Sequence, residues 1–159
     1  MTHRPYLLRS LSHMAVKNTR EQEDVKEEVG KSQEVLVTAK TVFPFSMFPD
    51  TVSVDRTNLT IAHRIFYRVA SIITIKIEDI HNIKPNVGPL FGSLVLTTTF
   101  VDPDSPYRVN YLRRADALKV TRIVRGYKTA LQRKIDTSGL EKKELVELLD
   151  NLARDGTDV

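Results

Sequence analysis

The residues of this chain that could do chemistry are two close glycines, four histidines, two carboxylate pairs and several runs of Lys and Arg. Gly88 and Gly92 stand in "PNVGPLFGSLVLTTTF", which runs from Pro85 to Phe100. A loop that cradles phosphate needs a glycine-rich turn closed by Lys and by Ser or Thr, so that backbone N–H groups and an ammonium surround the anion. Here Ser93 follows Gly92 with no lysine, and Pro89 removes an N–H that a phosphate would use. A dinucleotide fingerprint needs three glycines between a strand and a helix, whereas this run leads into the strand-like "SLVLTTTF". Both nucleotide readings fail. The structural reading is that Gly88-Pro89 turns the chain and that Gly92 permits a bulge or a close approach at a special backbone position. Phe91 is then a candidate anchor at the rim.

His3, His13, His63 and His81 show no HxH or HExxH spacing, so a strand histidine that is packed or half exposed is expected at positions 63 and 81. Asp102 and Asp104 in "DPDSP" lack the ligand number of a calcium loop and suit a turn. Glu78-Asp79 reads as a strand-end charge pair. The absence of cysteine excludes disulfides, thiolate zinc sites and cysteine nucleophiles. It is compatible with a reducing cytoplasm. No constellation for catalysis is visible, and the expectation is a protein that is not an enzyme, with no cofactor, no metal and no small-molecule substrate.

The net charge of +4 is unevenly distributed. Residues 1–20 carry Arg4, Arg9, Lys17 and Arg20 and no acid; residues 107–134 carry nine basic residues and one acid; residues 135–159 carry three basic and seven acidic residues. Such polarity can steer partners, or the acidic tail can neutralise the basic segment before it. The candidate contact surface is Arg4, Arg9 and Lys17 together with Lys119, Arg122, Arg125 and Lys128. Tyr107, Arg108, Tyr111, Arg113 and Arg114 superficially resemble a single-strand nucleic-acid platform. Tyr107 and Tyr111 share a face with Val109, however, which favours core packing and argues against nucleic acid.

These residues need elements to position them. Residues 1–33 form a basic, then mixed-charge segment, with Leu7, Leu8, Leu11, Met14 and Ala15 near helical spacing. It suits a membrane-surface helix, a transit peptide or a frayed terminus. From residue 34 the pattern becomes short alternating strands: "VLVTAKTVF", "TVSVD", "LTIAHRIFY", "SIITIKI", "IHNIKPNV" (an edge strand because of Pro85), "GSLVLTTTF" and "YRVNYLRR". That is about seven strands. After Arg114 the period changes, and Ala117, Val120, Val124, Tyr127 and Leu131 define an amphipathic helix of about 20 residues. A second helix begins at "SGLE", with Ser138 and Glu141 at capping-box spacing and Gly156 at its end. The expected organisation is a segment of residues 1–33, a β-rich domain over 34–134, and an acidic helix and tail over 135–159. No apolar run approaches the ~20 residues of a membrane span.

Seven short strands closed by one amphipathic helix, with the "VxVDxxNLTI" hairpin, "IEDIxNI" and the Phe91-Gly92 pair, resemble the bacterial pleckstrin-homology-like (PH-like) domains over residues 46–130. The resemblance implies an antiparallel β-barrel plugged at one end by the helix, serving as a binding or assembly scaffold. Eukaryotic relatives hold inositol phosphates on a basic loop between the first two strands; here that loop would lie near "DRTN", with Arg56 its only cation. The expected role is therefore a non-catalytic cytoplasmic module working through a protein partner. Peripheral binding to an anionic membrane surface through the basic residues is the alternative.

Overall fold

A computed structural model describes residues 34–42, 48–66, 69–99 and 106–156. Seven strands and two C-terminal helices follow one another: β1 (Val37–Lys40), β2 (Thr51–Val54), β3 (Asn58–Phe66), β4 (Val69–Lys76), β5 (Ile80–Val87), β6 (Phe91–Thr98), β7 (Tyr107–Arg113), α1 (Arg114–Gln132) and α2 (Lys142–Asp155). The chain divides into two compact units, residues 1–34 and 35–159. Residues 135–156 belong to the same unit as the strands, so the acidic helix is part of the folded body and not an appendage to it. The expected N-terminal helix, Arg4, Arg9, Lys17, His3, His13 and the carboxylates of Asp102 and Asp104 fall outside the described residues.

The strands form two antiparallel sheets, ordered β1-β2-β3-β4 and β5-β6-β7. They do not close into a single barrel. At one corner the sheets meet through an isolated bridge between Thr41 and Leu112, supported by the Val42 N–H donating to the Tyr111 carbonyl at 2.9 Å. At the opposite corner β4 passes to β5 through one turn of 3-10 helix, Ile77–Asp79, with no ladder between the two strands. Alternation sets the inner faces: Val52 and Val54, Leu59 and Ile61, Ile75 and Ile77, and Leu94 and Leu96 are all buried. Each fully buried side chain of this size contributes about 1.5–3 kcal/mol of transfer free energy. α1 lays Ala117, Val120, Val124 and Tyr127 onto this surface.

Strand β5 runs through Pro85 without interruption, and it does lie at a sheet edge. Gly88 begins a tight connection in which its N–H donates to the Phe91 carbonyl at 2.7 Å. Gly92 marks both a close approach and a bulge, but among the described residues no glycine has a positive φ. Its special feature is space: a Cβ there would lie 3.1 Å from Ala117 Cβ and 3.1 Å from Val87 Cγ1.

The bulge changes β7. Opposite it, Tyr111 takes a φ of 58° and turns outward to 48% exposure, and Leu112 occupies the core position. The expectation that Tyr111 packs inward with Val109 is therefore wrong: one extra residue reverses the facing of everything beyond it. Leu131 also departs from the expected stripe and is 54% exposed, because the last turn of α1 extends past the sheets.

The start of α2 lies three residues later than the capping pattern suggests. Ser138 instead bonds Asp136, with its hydroxyl 2.7 Å and its N–H 2.9 Å from Oδ1. Glu141 is the N-cap, in a capping box with Glu144. Leu140, just before it, packs against the core, which fixes where the helix can begin.

Candidate functional site

A groove of about 950 Å³ lies between α1 and α2. Leu36, from the residue before β1, and Ala115, Leu118, Ile123 and Val146 give it an apolar floor. Arg114, Lys119, Lys142 and Lys143 stand around it, all exposed. Arg122, Glu147 and Asp150 complete the lining.

On α1, the residues that line the groove precede a tight contact with α2 at Gly126: a Cβ there would lie 2.1 Å from the Leu149 carbonyl oxygen. Only glycine allows this backbone-to-backbone contact. Arg122 Nη1 reaches Asp150 Oδ1 at 3.2 Å beside it, and Gly156 lies against Thr129 beyond it. The helices thus run in the same sense. Their first turns, starting at Arg114 and Lys142, border the groove together.

Both helix starts carry partial positive charge from aligned peptide dipoles. Cations there cost stability, about 0.3–1 kcal/mol each at exposed sites. Arg114, Lys142 and Lys143 nevertheless occupy these turns. Asp116 and Glu144 share these first turns with them.

The basic face read along α1 is divided by the fold. Arg125 Nη2 donates to the Ile83 carbonyl at 3.2 Å, and Lys128 donates to that of His81, so both cover the edge of β5. Burial lowers the Lys128 pKa, as expected for an ammonium drawn toward backbone carbonyls in a partly desolvated place. Arg122 is paired with Asp150, which also receives Arg154. Desolvation pushes the Asp150 carboxyl up, and the bonds from Arg154 and Arg122 more than reverse this, so it ionises below the usual carboxylate range. Of the four, Lys119 and Arg122 line the groove and are exposed, Arg122 in its pair with Asp150.

Arg56 lines a smaller concavity of about 400 Å³ with Thr57, Asn58 and Tyr127. Its guanidinium donates to the Thr137 carbonyl at 3.3 Å and to the Leu140 carbonyl at 2.9 Å, tying the β2–β3 turn to the segment between the helices. The hairpin itself is closed by Asp55, which accepts the Asn58 and Thr57 N–H groups at 2.6 and 2.8 Å. His63 Nδ1 pairs with Asp50 at 3.0 Å, and His81 is exposed on another sheet. Among the described residues no three potential ligands gather to hold a metal, and no helix is long and apolar enough to cross a membrane.

Sequence reasoning named Arg114 only beside a nucleic-acid platform and missed Leu118, Lys142, Lys143 and Val146. Two signals pointed to them: a lone glycine inside a helical pattern, at Gly126, and a lysine doublet at a helix start. Neither a protein-family model nor a curated protein matches the chain.

Proposed function

We propose that this chain is a non-catalytic PH-like binding module that takes an acidic amphipathic helix of a partner protein into the groove between α1 and α2. Four strands against three, followed by a helix laid on the sheets, support the PH-like reading. One observation carries the functional reading: an apolar floor of Leu36, Leu118, Ile123 and Val146 under the exposed cations Arg114, Lys119, Lys142 and Lys143. An amphipathic helix supplies the complement, apolar residues at i, i+3, i+4 and i+7 flanked by carboxylates. The cytoplasm is the compartment this reading carries with it.

An anionic membrane surface is the competing ligand, and the geometry favours it less. The cations surround a concavity instead of forming a flat face, and Glu147 and Asp150 line the same walls. Fluorescence anisotropy with a labelled helical peptide of Leu and Glu, beside co-sedimentation with phosphatidylserine vesicles, separates the two. The expected result is peptide binding that weakens with salt and falls at least about tenfold in Lys142→Gln/Lys143→Gln and in Val146→Glu. Binding to vesicles with none to the peptide, or peptide binding untouched by these substitutions, would overturn the proposal.

A further inference from the structure

A different surface, remote in chemistry from the groove, is the outer edge of β4. A strand at a sheet edge presents unpaired N–H and C=O groups that template another strand unless something blocks them. The edges of this molecule are treated unequally. β1 and β7 meet each other through the Thr41–Leu112 bridge. β5 is guarded: Arg125 and Lys128 bond its Ile83 and His81 carbonyls, Pro85 lacks an N–H, and Lys84 is exposed. β4 has none of these devices. Among the described residues nothing bonds its outer edge from Ser71 to Lys76, and "SIITIK" contains no proline, no glycine and one charge, at its end. Ile72 stands 65% exposed on the outer face, with Thr74 exposed beside it.

We propose that β4 pairs antiparallel with β4 of a second copy of this chain, joining the two four-stranded sheets into one. The strand is self-complementary, as a two-fold contact requires. With the axis at Ile73, Ile72 of each copy lies across from Thr74 of the other on the same face, a β-branched pair of the kind that stabilises sheets. The two Lys76 side chains then fall at opposite ends of the ladder, so no like charges face each other. A neutral, β-branched edge suits its own copy better than a charged extended peptide, for which β4 offers only Lys76 and the neighbouring Lys76–Glu78 pair.

The pairing is tested by sedimentation equilibrium of the full chain. The expected mass is twice the 18.1 kDa of one chain. Ile72→Lys/Thr74→Lys and Ile72→Glu/Thr74→Glu should each sediment as monomers with wild-type circular dichroism, and an equimolar mixture of the two should recover the doubled mass. A monomeric wild type at high micromolar concentration, a dimer surviving in both charged variants, or a mixture that stays monomeric would each overturn the proposal. Because the chain has no cysteine, a second measurement avoids charge: Ile72→Cys mixed with Thr74→Cys should form the mixed disulfide faster than either forms its own. Equal rates would overturn the register as well.

Discussion

On the flank of α1 that faces β5, Arg125 and Lys128 end on backbone carbonyls, whereas on the flank that faces α2, Lys119 ends in a groove. Both flanks carry basic side chains. What lies opposite differs: a sheet edge that needs covering on one flank, a second helix on the other. Cations on the first flank act structurally, holding two carbonyls of a strand. Among the described hydrogen bonds Lys119 has no such task, and two of the groove's lysines sit where the helix dipole opposes them.

This contrast can be broken most forcefully at the point that holds the second flank together. Gly126→Ala should destabilise by about 3 kcal/mol or more, since the new Cβ meets the Leu149 backbone and not a side chain that could move. An exposed helical glycine would respond in the opposite direction, gaining about 1 kcal/mol from helix propensity. Urea unfolding followed by circular dichroism gives the sign directly. Gly92→Val comes next, at about 1–3 kcal/mol, because Ala117 and Val87 are side chains that can yield a few tenths of an ångström. A loss much smaller than this in the thermal midpoint would show that α1 can lift from β6.

Arg125→Ala and Lys119→Ala sharpen the contrast between flanks. The first should cost about 1–2 kcal/mol by uncovering the Ile83 carbonyl in a half-buried place. The second should leave stability within about 0.5 kcal/mol and weaken peptide binding. Equal effects on both readouts would abolish the distinction.

Asp150→Asn should cost about 1 kcal/mol at neutral pH, through exposed pairs with Arg122 and Arg154. Its folded pKa lies below the usual carboxylate range. The contribution is therefore complete above the unfolded pKa and is lost as pH falls through the folded one. Wild type and variant should converge in denaturant midpoint once pH has fallen through that folded pKa. The smallest effect is a gain: Lys142→Gln/Lys143→Gln should stabilise by a few tenths of a kcal/mol as unfavourable charge leaves the start of α2. Stability that rises while binding falls is a signature that a purely structural surface does not produce.

Much of the architecture was legible because alternation and the switch to a 3.6-residue period depend on local sequence. All seven strands and both helices lie where the apolar patterns put them. Tyr111 was not legible, since a single-residue bulge leaves composition unchanged while inverting the facing of the residues around it. Ser138 offered a sound cap, but Leu140 is drawn into the core and resets the helix start, a tertiary constraint outside that local pattern. The site was only partly legible. Lys119, Arg122, Arg125 and Lys128 follow one another at steps of three, and each step falls about 60° short of a full turn. They therefore spread over about half of the helix circumference and were never one face. Which of them meets a sheet edge depends on how α1 lies on β5, and that is a property of the assembled fold.

The bridge between Thr41 and Leu112 has a consequence in time as well as in space. Leu36 enters the groove floor from the beginning of the first sheet, while every other wall residue follows β7. These parts meet only when the chain closes on itself across nearly all of its described strands, a contact of high sequence separation whose closure entropy makes it slow. The groove's floor and walls therefore depend on a long-range closure and not on local structure alone. A chain arrested before that seam closes would carry the same lysines and no floor beneath them, so engagement of a partner would report that the seam had closed.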